Sequence, residues 1–81
     1  MRVKVRLFAR LHDLVGAAEL EREAADGATA ASVWESLAAE WPAIAPYDRS
    51  VSVAINAGFA RMTARLADGD EVAFLPPVSG G

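Results

Sequence analysis

Cysteine is absent from this chain. Without a thiol there can be no disulfide, thiolate metal site, iron–sulfur cluster, cysteine nucleophile or persulfide carrier. The absence leaves the redox state of the compartment open. Long apolar runs are missing too, and nothing approaches the roughly 18 consecutive apolar residues of a membrane-spanning helix. The opening Met1-Arg2-Val3-Lys4-Val5-Arg6 is basic, but neither an apolar stretch nor a small-residue cleavage site follows it. A cytoplasmic location is the expectation, with no membrane partner. Positive charge is also short: eight Lys and Arg stand against eleven Asp and Glu, for a net charge of -3. The basic residues are scattered, densest at Arg2, Lys4, Arg6 and Arg10, where they alternate as the polar face of a strand. Phosphate backbones repel such a surface, which argues against nucleic acid as a partner. His12 is the only histidine. It has Asp13 beside it but no oriented third group or pocket, so it reads as an exposed or partner-facing side chain.

What is present is a pattern of short elements in 81 residues, enough for one domain. A chain of this size buries only about 60% of its unfolded surface, leaving little room for a deep catalytic cleft. Val3, Val5 and Leu7 alternate with Arg2, Lys4, Arg6 and Phe8 over residues 2–9, the period of a half-buried strand. Residues 10–15 predict a short helical turn closed by Gly16. Leu20-Glu21-Arg22-Glu23-Ala24 predicts an edge strand, and Asp26-Gly27 a turn. A helix is expected over about 30–41, capped by Thr29 or Ser32, with Ser32 to Glu35 at capping-box spacing. Val33, Trp34, Leu37, Ala38 and Trp41 give it one apolar stripe, and Pro42 ends it. Residues 42–50 read as a loop. Residues 51–56 predict a third strand, Asn56-Ala57-Gly58 a turn, and Phe59-Ala60-Arg61-Met62 a short return. Glu71 to Leu75 form the last strand. The order is strand, strand, helix, strand, strand: an α+β domain with one main helix on one face of a sheet.

Most candidate sites have plain readings. Asp68-Gly69-Asp70-Glu71 is a glycine turn before a strand. A calcium loop would need a bidentate Glu at its twelfth position, where Ser79 stands. Glu19, Glu21 and Glu23 alternate along an edge strand, where charge discourages edge-to-edge pairing. No metal-ligand spacing, phosphate-binding glycine loop or Ser/His/Asp constellation appears.

The C-terminal segment is different. Residues 76–81 can reach roughly 20 Å beyond the last strand. Pro76 and Pro77 cannot continue a sheet and hold the backbone extended. Val78 and Ser79 then lead to Gly80-Gly81, where a backbone without Cβ atoms leaves the carboxylate sterically bare. A tail of this shape fits a narrow channel in another enzyme. Phe8, Phe59 and Leu75 fall on faces that the charge pattern marks as wet. Gathered on the sheet face away from the helix, they form an apolar partner-binding patch.

Asp68-Gly69-Asp70-Glu71-Val72-Ala73-Phe74-Leu75-Pro76-Pro77-Val78-Ser79-Gly80-Gly81 resembles the C-terminal signature of the molybdopterin synthase small-subunit family. The opening Val3-Lys4-Val5-Arg6-Leu7-Phe8-Ala9, Leu14-Val15-Gly16, and Val53-Ala54-Ile55-Asn56 are similar to that family as well. Ser79 departs mildly, standing where Thr is commoner. The resemblance implies a ubiquitin-like β-grasp fold with a mixed sheet, comprising residues 1–75, followed by the tail 76–81. It implies a sulfur carrier for molybdenum cofactor biosynthesis that binds no cofactor of its own. An E1-like activating enzyme uses ATP to adenylate the Gly81 carboxylate, and a sulfur donor protein converts it to a thiocarboxylate. The tail then enters the large synthase subunit, where its sulfur attacks cyclic pyranopterin monophosphate. The active site is expected on that large subunit, which makes this chain a cosubstrate more than a catalyst. The patch at Phe8, Phe59 and Leu75 is where the family places partner contacts. Related alternatives are carriers for thiamin, cysteine or tRNA thiolation, and a protein modifier attached through Gly81. Lys4 is the only lysine, so a modifier of this kind has one point for lysine-linked chains. A plain β-grasp interaction domain with an inert tail is the remaining alternative.

Overall fold

The computed structural model describes residues 1–77. The tail residues Val78, Ser79, Gly80 and Gly81 lie outside the described residues. Strand β1 spans Arg2–Leu7 and buries Val3, Val5 and Leu7 as its alternation predicts. Helix α1 follows at Ala9–Val15 and ends at Gly16, whose φ of 86° is the left-handed cap conformation that glycine adopts without strain. Phe8 is not the last residue of β1. It is the extended residue before α1, and Ala9 turns the chain with a positive φ of 51°. Strand β2 spans Glu19–Glu23, and helix α2 spans Ala30–Glu40.

The cap of α2 corrects one expectation. Thr29, not Ser32, is the N-cap, and the capping box joins Thr29 to Ser32 instead of Ser32 to Glu35. The Ser32 N–H donates to Thr29 Oγ1 at 3.2 Å, and the Thr29 N–H donates to Ser32 Oγ at 3.0 Å. Starting there puts Ala30 at the first helical position, fully buried, with Val33, Trp34 and Leu37 on the same inner stripe.

Residues 42–50 are also more ordered than a loop. Pro42 ends α2 but opens a 3-10 helix, Pro42–Tyr47, whose Ile44 is completely buried. Strand β3 is Ser52–Ile55, shorter than expected at both ends. Asn56 and Ala57, with φ of 49° and 71°, make the tight two-residue turn into β4, Gly58–Ala60. Both central residues of that turn have positive φ, the geometry that matches strand twist. The short return thus sits at 58–60, one residue earlier than the sequence predicts, and makes a fifth strand. Strand β5 spans Glu71–Leu75.

The sheet runs β2-β1-β5-β3-β4, with β1 and β5 parallel at its centre and every other pair antiparallel. This is the mixed α+β sheet of a β-grasp, with α2 clasped against one face. Its core is Val3, Val5, Leu7, Val53, Val72 and Phe74 from the strands, against Leu11, Val33, Trp34, Leu37, Ile44 and Leu66. The Trp34 and Phe74 rings meet at 5.1 Å, tilted by 57°. Each fully buried side chain of this size contributes about 1.5–3 kcal/mol, so the sheet–helix interface dominates stability.

Candidate functional site

Because directly paired residues share a face, strand register fixes what the sheet presents opposite α2. Arg6 pairs with Glu19 and Ala73, Ala73 with Ala54, and Ala54 with Phe59. One row across the open face therefore reads Glu19, Arg6, Ala73, Ala54, Phe59. Two residues further along β5 lies Leu75, paired with Ser52, and Phe8 continues the same face two residues beyond Arg6. The Phe8 N–H donates to the Phe74 carbonyl at 3.4 Å, which draws Phe8 alongside the end of β5. Phe8, Phe59 and Leu75 thus occupy one face. Phe8 and Leu75 are close neighbours, while Phe59 stands two strands from Ala73, with Ala54 between. At 4.7–4.9 Å per strand, that is about 10 Å of floor made of alanines.

Phe59 is 83% exposed and Phe8 37%, the two large apolar side chains left in water among the described residues. Arg6 lies 5.2 Å from the centre of the Phe8 ring, a cation–π contact between neighbours on this face. Phe8, Ala9, Arg10, Tyr47, Leu75, Pro76 and Pro77 line a mostly apolar groove of about 640 Å³ at the end of the sheet where β5 runs out. Pro76 and Pro77 follow β5 directly, so the chain leaves the fold from this groove. Tyr47 escaped sequence reasoning because its segment resembles a loop. The one available signal was an aromatic residue after two prolines.

The rest of the open face is charged and largely self-paired. Arg2 bonds Glu23 at 2.9 Å and Glu21 at 3.4 Å, and Arg6 approaches Glu19 at 3.7 Å and Glu71 at 3.9 Å. The hydrogen bond and charge of Glu23 raise the Arg2 pKa above its already high ordinary value. Glu19, Glu21 and Glu23 do line an edge strand, where they meet the arginines of β1. Lys4 is exposed on the same face. His12 and Asp13 approach each other at 3.9 Å, both exposed on α1.

Asp68, Gly69 and Asp70 build the turn before β5. The Arg2 N–H donates to Asp68 Oδ1 at 2.7 Å, and the Gly69 N–H donates to the Arg2 carbonyl at 2.8 Å. Asp70 accepts from the Ala67 N–H at 2.8 Å and from Asn56 Nδ2 at 2.9 Å. These two bonds, the backbone one first, hold the Asp70 carboxyl below its ordinary pKa of 3.8. The carboxylates here are occupied in fixing the strand that carries the tail. A second hollow of about 450 Å³ lies between β2 and α2. Arg22, one of its lining residues, bonds Glu40 at 2.6 Å and Ser36 at 2.8 Å.

Set beside known proteins, the chain matches the ThiS family over residues 5–81. It is 40% identical to the molybdopterin synthase sulfur carrier subunit of Escherichia coli strain K12, over 98% of this chain and 99% of that protein. The protein of the same name from Chlamydomonas reinhardtii is 35% identical, over the full length of both. Among solved structures, small archaeal modifier protein 1 from Methanosarcina acetivorans is 32% identical, with a TM-score of 0.82 over 99% of this chain and 96% of that one. A ubiquitin-like β-grasp sheet, a terminal strand feeding paired prolines, and similarity over nearly all 81 residues agree: the chain belongs to the ThiS family.

Proposed function

We propose that this chain is the sulfur carrier of a molybdopterin synthase, with the Gly81 carboxylate as its working group. The observation that carries this reading is the similarity over essentially the full chain to relatives named molybdopterin synthase sulfur carrier subunit. The chemistry follows from the carboxylate. A carboxylate is a poor acceptor, so an E1-like activating enzyme first spends ATP to make the acyl-adenylate. A sulfur donor protein then displaces AMP, leaving a thiocarboxylate on Gly81. The large synthase subunit takes in the tail, Pro76 through Gly81, and the sulfur attacks cyclic pyranopterin monophosphate. This chain supplies the nucleophile, and the large subunit supplies the active site. Phe8, Phe59 and Leu75 are its docking residues, a role supported by their common face and by the exposure of Phe59. All of this takes place in the cytoplasm. No helix among the described residues is long and apolar enough to cross a membrane.

Deleting Gly81 tests the reading. The truncated chain is expected to keep its fold and to support no molybdopterin formation; normal cofactor yield from it would sink the reading. A second reading, a protein modifier joined to target lysines through Gly81, is favoured by the likeness to small archaeal modifier protein 1. Sibling carriers for thiamin, cysteine or tRNA thiolation share the same terminal chemistry. A sulfur-loaded tail that serves synthase but forms no lysine conjugates separates the first reading from the modifier.

A further inference from the structure

The groove at the root of the tail has a wall that the carrier chemistry does not by itself require. Tyr47 comes from the 3-10 helix, far in sequence from Phe8 and Leu75, yet it lines the same groove together with Pro76 and Pro77. Its backbone is held from both sides. The Tyr47 carbonyl accepts from the Val51 N–H at 2.8 Å and from the Ser50 N–H at 3.0 Å. Ile44, three residues before, is completely buried. Asp48, the next residue, accepts from the indole N–H of Trp34 at 2.6 Å, and Trp34 packs on Phe74 of β5. The strand that launches the tail and the residue beside its root are therefore anchored to one tryptophan. The half-buried Tyr47 side chain packs against the core and makes no side-chain hydrogen bond among the described residues. Flat aromatic surfaces are the usual partners of extended proline segments, which arrive with their backbone already restricted.

We propose that Tyr47 is a positioning residue for sulfur transfer: its ring, lining the same groove as Phe8, forms the aromatic wall that sets the direction in which Pro76-Pro77 leaves the sheet. This rests on the carrier reading. The tail must deliver one sulfur atom at a fixed point some residues beyond Pro77. A small angular error at the root grows along an extended chain, and a misplacement of about 1 Å can cost roughly a hundredfold in rate. The ring does this work and the hydroxyl does not.

The test uses the full chain carrying a Gly81 thiocarboxylate, mixed with the large synthase subunit and cyclic pyranopterin monophosphate. Turnover at saturating large subunit and the Kd of the two proteins are measured separately, for wild type, Tyr47→Phe, Tyr47→Leu and Tyr47→Ala. Tyr47→Phe is expected within about twofold of wild type, since it keeps the wall. Tyr47→Leu and Tyr47→Ala are expected to lose about ten- to a hundredfold in turnover, with Kd changed by less than about threefold. Tyr47→Leu keeps apolar bulk and decides the matter if Tyr47→Ala does not fold. Unchanged turnover in Tyr47→Leu overturns the assignment. So does a loss confined to Kd, which would make Tyr47 a docking residue, or an equal loss in Tyr47→Phe, which would move the role to the hydroxyl. A wild-type chain that takes up no sulfur would instead defeat the carrier reading, and is told apart before any variant is made.

Discussion

The indole N–H of Trp34 donates to the Asp48 carboxylate at 2.6 Å, tying the buried face of α2 to the residue that follows the 3-10 helix. Asp48 is exposed and Trp34 is buried, so the bond satisfies a donor that would otherwise lack a partner in the core. Asp48→Ala is expected to cost about 1–3 kcal/mol in chemical denaturation, because it strands that N–H. Asp48→Asn keeps an acceptor and is expected to recover most of the loss. Equal stability of wild type and Asp48→Ala would mean that the contact is not made in solution.

Asp70 gives the fold a dependence on acid. Its pKa is lowered in the folded state, so its contribution is fully present above the ordinary value of 3.8 and is lost as pH falls through the lower folded value. Thermal melts of wild type and Asp70→Asn should differ at pH 7, with wild type the more stable, and the gap should start to close as pH falls below 3.8 and vanish only once pH has passed the lower folded value. A gap that stays constant with pH would remove the carboxylate's charge from the explanation.

Phe59 should separate binding from folding. At 83% exposure it holds little of the core together. Phe59→Ala is expected to change stability by less than about 0.5 kcal/mol, the usual range for surface positions. It should weaken the complex with the large synthase subunit by roughly tenfold, as loss of an aromatic anchor does. Calorimetric titration alongside a thermal melt reads both.

Thr29→Ala should cost about 1 kcal/mol, the usual worth of an N-cap, and Ser32→Ala should cost less when made on top of it, because the two side chains form one reciprocal pair. Denaturation of the two single variants and the double variant checks the coupling; strict additivity would contradict it.

Local chemistry explains which elements were legible. β1 shows in the sequence because one face of it is wet and the other is core, so Val3, Val5 and Leu7 alternate against charge. Gly16 announces the end of α1 because few other residues tolerate its φ. The α2 cap was ambiguous because Thr29 with Ser32 and Ser32 with Glu35 both have the right spacing. What decides between them is the burial of Ala30, a tertiary fact. The 3-10 helix was hidden because Pro42 and Pro46 are read as breakers, while its anchor, Ile44, is one apolar residue without a repeat. At the candidate site, Phe8 and Leu75 stood out as apolar side chains on wet faces. Their adjacency follows only from the parallel pairing of β1 with β5, which joins the two ends of the chain. Tyr47 was illegible for the same reason: nothing local says that the segment at 47 returns to a strand ending at 75.

Intact mass spectrometry, after incubation with the activating enzyme, ATP and a sulfur source, tests the central claim most directly. The carrier reading predicts a gain equal to replacing one oxygen by sulfur, mapped by fragmentation to Gly81. No gain, with the activating enzyme shown to be competent on another carrier, would contradict it.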